Sequence, residues 1–143
     1  MKYRFLEEIA LADTAFEAFG RNESELFGNA ALAVSETMAE TKKLKPKEKR
    51  EIELKSDTLE LLLHSWLSEL VYLKDVEETI FSRFKVKIIK EKKRFKLNAQ
   101  IAGQRISEIG PDVIKTDVKA VTWHEFRIEK TKKGFTARVV LDV

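Results

Sequence analysis

The stretch Thr58–Leu73, TLELLLHSWLSELVYL, decides the class of fold. Leu59, Leu62, Leu63, Trp66, Leu70 and Leu73 recur at i, i+3, i+4, i+7, i+11 and i+14, one apolar stripe on a 3.6-residue period. Asp57 or Thr58 can cap the amino end, and Glu60 lies in the first turn, where a carboxylate favours the helix dipole. His64 falls about 140° from the centre of the stripe if each residue turns ~100°, so it reads as a solvated side chain. Leu61 is also off the stripe. Just before this helix, Arg50–Ser56 alternates: Ile52 and Leu54 fall on one side, Glu51, Glu53 and Lys55 on the other. That is the pattern of a half-buried strand.

Working outward, Thr14–Gly20 (TAFEAFG) reads as a strand ended by glycine. Asn22 and Ser24 are helix-capping residues, and Leu26, Phe27, Ala30, Ala31, Val34 and Met38 carry an amphipathic helix to about Glu40. Lys42–Arg50 is a charged connector containing Pro46. Beyond the central helix the spacing changes to alternation. Phe84, Val86 and Ile88 oppose Arg83, Lys85 and Lys87; after a turn at Glu91–Arg94, Phe95, Leu97, Ala99 and Ile101 share a face. Gly103–Thr116 is loop-like, with a turn at Gly110–Pro111. Val118–Glu129 alternates through Ala120, Thr122, His124 and Phe126, which predicts one strand with His124 half-buried on it. Lys132–Gly134 turns the chain into a last strand through Phe135, Ala137, Val139 and Leu141, and one more strand is expected at Tyr3–Glu8. The expected architecture is α+β: two amphipathic helices packed on a largely antiparallel sheet in a single compact domain spanning residues 1–143.

The 143 residues carry 27 Lys+Arg against 24 Asp+Glu, a net charge of +3, mildly basic rather than the profile of a nucleic-acid coat. With no cysteine, disulfides, thiolate zinc sites and cysteine nucleophiles are excluded. The two histidines, His64 and His124, are too few for an all-histidine catalytic metal site. No apolar run reaches the ~18 residues that span a bilayer, and the opening MKYRFLEEIA carries acids where a secretion signal is apolar. A soluble, cytoplasmic protein is expected, without a membrane partner. Abundant Lys and Glu with little Asn and Gln is also the bias of heat-adapted proteins.

Phosphate-binding glycine loops, the serine nucleophile elbow and the HExxH zinc motif are all absent, so no independent catalytic constellation is visible. The basic runs KKLKPKEKR and KEKKRFK are interrupted by Glu48 and Glu91, and only Phe95 is near enough to stack a base. They read first as solvated turns, with Lys85 and Lys87 able to widen a basic patch toward RNA. Among the acids, Asp13 is out of pattern, set in the small apolar run Ala10-Leu11-Ala12-Asp13-Thr14-Ala15. Asp142 is penultimate, beside the carboxylate of Val143. Should the fold bring Asp13 to that end, three hard oxygen donors would meet, a set suited to Ca²⁺ or Mg²⁺. A capping Asp and a frayed tail are the plainer alternative.

Several segments together resemble the archease family. They are Asp13-Thr14 before an alternating strand ending at Gly20, Glu25-Leu26-Phe27 with Asn29-Ala30-Ala31-Leu32-Ala33, Leu62-Leu63 with Trp66-Leu67-Ser68-Glu69-Leu70, Tyr72-Leu73 and Asp75, Phe81-Ser82-Arg83-Phe84, Val118-Lys119-Ala120-Val121-Thr122-Trp123-His124, and Leu141-Asp142-Val143. The resemblance implies an accessory protein, not a free-standing enzyme. Its partner would be the GTP-dependent RNA ligase that joins tRNA halves and repairs RNA. Archeases promote guanylylation of that ligase and its multiple turnover, so RNA is met indirectly, through the ligase. The resemblance also implies a divalent cation (Ca, Mg or Mn) held by Asp13, Asp142 and Val143, and makes Lys119 functional. In the family the opening motif reads His-Thr-Ala-Asp; here it reads Ala10-Leu11-Ala12-Asp13, which implies weaker metal affinity. Two other readings use the same residues: a general chaperone or protein-interaction module, with Leu61 on its binding surface, and a small RNA-binding module using the lysine-rich turns.

Overall fold

A computed structural model describes residues 1–7 and 13–143; the departure from the family motif at Ala10 and Leu11 lies outside them. The chain runs β1 (Tyr3–Phe5), β2 (Asp13–Gly20), α1 (Glu23–Met38), β3 (Glu48–Ser56), α2 (Leu59–Val76), β4 (Thr79–Glu91), β5 (Arg94–Arg105), β6 (Ala120–Val121), β7 (Arg127–Thr131) and β8 (Gly134–Asp142). The strands form two antiparallel sheets. In one, β1, β2, β8 and β6 lie in that order and β7 also pairs with β8; in the other the order is β3-β5-β4. Helix α1 packs against β2 of the first sheet and β4 of the second. This explains why α1 is buried on more than one side, at Leu26, Phe27, Ala30, Ala31, Ala33, Val34 and Met38. A helix under both sheets cannot keep a polar face there.

The helix starts follow from their caps. Asn22 Oδ1 accepts from the Glu25 N–H at 2.9 Å, and Thr58 Oγ1 from the Leu61 N–H at 3.1 Å. The α2 stripe is half-buried at Leu59 and buried from Leu62 on, with Trp66 fully enclosed and its indole N–H donating to the Phe27 carbonyl at 3.0 Å. Phe16, Phe27 and Phe81 complete the bulk of the core around it.

Three features depart from simple alternation. In β4, a bulge between Phe81 and Arg83 inserts Ser82, so Phe81 and Phe84 both turn toward the core although they are three apart. From there Arg83, Lys85 and Lys87 face outward. The second departure is that α2 runs past Leu73 to Val76 and buries Lys74. The third is that the strand expected over Val118–Glu129 breaks. Only Ala120–Val121 joins the sheet; a turn follows and β7 begins at Arg127. Thr122 Oγ1 donates to the Val140 carbonyl at 2.9 Å and accepts from the His124 N–H at 3.2 Å, closing the turn, and Glu125 sits at φ 50°. His124 is consequently exposed, not half-buried.

Candidate functional site

β2 and β8 come from opposite ends of the chain and pair along their whole length, with Phe16 opposite Val139 and Ala18 opposite Ala137 on the core side. The same register sets Asp13 directly opposite Asp142. Directly opposed residues in an antiparallel pair project from the same face with Cβ atoms about 4.5–5.5 Å apart. Since Phe16 and Ala18 face the helices, Asp13 and Asp142 face outward, beside the buried pair Ala15 and Val140. The two acids singled out in the sequence are therefore neighbours, and both are half-buried.

On the other side of β8, Ala120 pairs with Asp142, and the main-chain N–H of Lys119 donates to the Asp142 carbonyl at 2.8 Å. Asp142 thus has Asp13 on one flank and the Lys119–Ala120 backbone on the other. Val143, half-buried, follows at the end of β8 and packs against the core.

What holds the Lys119 segment is a buried cation that sequence reasoning did not single out. Lys74 Nζ contacts Asp117 at 2.5 Å, Asp75 at 2.6 Å and the Val118 carbonyl at 2.7 Å, with the lysine side chain only 7% exposed. Burial alone would lower the pKa of this ammonium, but the Asp117 and Asp75 carboxylates outweigh it and hold it above the ordinary lysine value. The spacing carried a signal: Lys74 lies four residues after Leu70, on the buried side of the helix.

His64 is also better engaged than its angle on the helix implied. Its ring stacks on Trp123 with centroids 3.7 Å apart and planes 7° from parallel, and Phe126 meets its edge at 5.2 Å. His64 Nε2 lies 2.9 Å from the Val121 carbonyl, so the neutral ring carries its proton there. Burial pushes the imidazole pKa down, and the Val121 contact opposes it only in part. These contacts close the turn after β6 onto α2, which is why His64 is not solvated.

The outward carboxylate pair fits a hard divalent cation in donor chemistry. Two like charges directly opposite on one sheet face repel, and among the described residues neither acid has an ion-pair partner. A cation between them would remove that repulsion, and oxygen donors select Ca²⁺, Mg²⁺ or Mn²⁺ over softer metals. Among the described residues no group of three or more His, Cys, Asp and Glu side chains gathers, so main-chain oxygens, water or a partner would complete such a shell.

Comparison with known proteins bears on the whole chain. The archease protein family (MTH1598/TM1083) matches residues 3–143. The chain belongs to the archease family. It is 40% identical to the protein archease of Methanosarcina barkeri over 143 residues, covering 99% of this chain and 96% of that one. It is 38% identical to the protein archease of Archaeoglobus fulgidus, with 100% of each chain covered. The solution structure of Methanobacterium thermoautotrophicum protein 1598 superposes with a TM-score of 0.85 at 36% identity, covering 99% of this chain and 98% of that one. A Thermotoga maritima archease, described as a possible chaperone, shares the fold with a TM-score of 0.62 at 19% identity, covering 98% of each chain. The archease fold is thus the observed one, with the two helices and the antiparallel strand pairing expected from the sequence, though the strands divide into two sheets where a single sheet was expected. No described helix is long and apolar enough to cross a membrane.

Proposed function

We propose that this archease activates a GTP-dependent RNA ligase by promoting guanylylation of the ligase, using a divalent cation held at the Asp13–Asp142 pair. The observation that carries the reading is the register of β2 on β8, which brings acids from opposite ends of the chain face to face. Asp13 and Asp142 would hold the cation through carboxylate oxygens, and Val143 through its main-chain oxygens. A bound divalent ion supplies charge neutralisation and polarisation of phosphoryl oxygens, the demand made by nucleotidyl transfer. The chain's own part is to present that charge on an outward sheet face, where a partner's nucleotide site can reach it. Lys119, exposed and tied through its N–H to Asp142, adds a point charge for the same phosphates. The Lys74 anchor keeps that segment in place.

The test mixes the chain with its cognate ligase, GTP and Mn²⁺ and follows ligase guanylylation. A rate increase that Asp13→Asn and Asp142→Asn each abolish supports the reading; no increase at any ratio of the two proteins rejects it. A second reading, a chaperone-like module, is favoured by Leu61, Tyr72 and Val76, which leave large apolar side chains 45%, 53% and 61% exposed on α2. Metal-independent suppression of aggregation of unrelated proteins, lost in Tyr72→Ser/Val76→Ser, is its distinguishing result.

A further inference from the structure

Helix α1 separates the two sheets, so the outer face of β3-β5-β4 lies away from the carboxylate pair. Its edge strand β4 turns Arg83, Lys85 and Lys87 outward, all exposed. Alternate residues on a strand are about 6.6 Å apart, so three positive charges stand in an even row. The bulge at Ser82 phases this row while keeping Phe81 inside.

Residues 82–97 contain eight basic side chains and one acid, Glu91, a local charge of 8 − 1 = +7. The chain as a whole is +3, so everything else sums to 3 − 7 = −4. The positive charge of the molecule is thus concentrated on one hairpin. Among the described residues Arg83, Lys85 and Lys87 have no carboxylate at ion-pair distance, whereas Arg94 reaches Asp57 at 3.4 Å. Beside the row, β5 presents Asn98, Gln100 and Ala102, and beyond it β3 turns Lys49, Glu51, Glu53 and Lys55 to the same face, two acids balanced by two lysines, so the net positive charge of the face lies on the β4 side. Among the described residues of β4 and β5, the aliphatic side chains on this face are Ala102 and Ile89, and no aromatic shares it.

That composition fits a polyanion better than a protein. Protein interfaces are depleted in lysine and centre on aromatic or aliphatic anchors, which this face lacks. An evenly spaced cationic row matches the repeating charge of an extended sugar–phosphate chain, and the exposed Gln100 amide beside it can hydrogen-bond 2′-hydroxyls. We propose that the outer face of β4 binds the backbone of single-stranded RNA, with Arg83, Lys85 and Lys87 each meeting a phosphate, and without sequence preference. The lack of a stacking aromatic makes the contact electrostatic and strongly salt-dependent.

The experiment uses the chain alone, with EDTA and no ligase, so its outcome and that of the ligase reading are independent. Fluorescence anisotropy of a labelled 15-nucleotide mixed-sequence RNA is followed against KCl concentration. Neutralising three phosphates contributes about 3 × 0.7 ≈ 2 to the slope of log affinity against log salt. Arg83→Glu/Lys85→Glu/Lys87→Glu is expected to weaken binding at least tenfold at low salt and to reduce the slope by about two. Lys130→Glu/Lys132→Glu/Lys133→Glu, with the same change in net charge on the other hairpin, is expected to weaken it less than threefold. Single alanine variants of the row, which leave the fold undisturbed, should each lower the slope by about 0.7. The corresponding DNA strand is expected to bind several-fold more weakly. No RNA binding at the lowest salt, equal losses in the two triple variants, an unchanged slope, or equal or tighter binding of DNA would each overturn the proposal.

Discussion

Replacing Lys74 by Met tests whether the segment beside Asp142 is held by charge. Lys74 Nζ serves three acceptors at once: Asp117 at 2.5 Å, Asp75 at 2.6 Å and the Val118 carbonyl at 2.7 Å. Breaking a fully buried ion pair by removing one partner costs ~3–5 kcal/mol. Here the carboxylates are 53% and 67% exposed, so once stranded they rehydrate and their share falls to that of surface pairs, ~0–1 kcal/mol. The Val118 carbonyl bond is buried, and losing its charged donor costs ~1–3 kcal/mol. Methionine keeps the packing of the lysine stem, so little cavity term is added. The expected loss is therefore ~2–3 kcal/mol, read by urea unfolding at neutral pH, and roughly 5–10 °C in Tm for a domain of this size. Asp117→Asn should cost under ~1 kcal/mol, since the carbonyl bond survives it. Amide exchange at Lys119, whose N–H is bonded to Asp142, should accelerate in Lys74→Met and not in Asp117→Asn. A Lys74→Met variant within ~0.5 kcal/mol of wild type, or two variants of equal cost, would refute the assignment of this anchor to the ammonium–carbonyl bond.

Other outcomes follow from the same contacts. Trp66→Phe loses the indole bond to the Phe27 carbonyl and leaves a void in a fully buried place, for ~2–4 kcal/mol by urea unfolding; a cost below ~1 kcal/mol would contradict that packing. In EDTA, Asp142→Asn removes the like-charge opposition to Asp13 and should raise stability by ~0.2–1 kcal/mol. With millimolar Ca²⁺ or Mn²⁺ the order reverses, because only the wild type gains binding energy; a wild-type Tm indifferent to both ions speaks against the cation site. Burial lowers the His64 pKa, so as pH falls through about 6.5 the unfolded chain takes up the proton first. The stability His64 contributes is present above that pH and lost below it. His64→Gln should therefore flatten the stability profile between pH 5 and 7, and a parallel profile would refute the shift.

How much of this was written in the sequence depends on the range of the interaction. The α2 stripe, the Asn22 cap and the alternation of β3, β5 and β8 are local patterns, and each appears as an element close to its expected bounds. The acids Asp13 and Asp142 stood out by type and setting. Their adjacency did not, because it depends on the register of two strands whose pairing no local spacing encodes. Where alternation misled, a long-range contact had displaced it. Trp123 continues the pattern of a strand, yet its indole leaves the sheet to stack on His64, and Thr122 closes the turn this needs. Lys74 lies four residues after Leu70, on the buried side of α2, but the acceptors that make its burial possible, Asp117 and Val118, reach it only through the fold. The split into two sheets was likewise invisible, since alternation identifies a strand and not its neighbour.

The central place of β8 has a consequence for how the protein is born. This strand pairs with β2, β6 and β7, and is the last of them to be synthesised. While the chain emerges, β2 can pair with β1 and the β3-β5-β4 sheet can close on the two helices, but the β8 side of β2 needs a partner 142 − 13 = 129 residues away. Such distant closure is slow and entropically costly. The carboxylate pair therefore exists only once β8 has docked on β2. A nascent or truncated chain can own the basic hairpin complete and still have nothing at the opposite face.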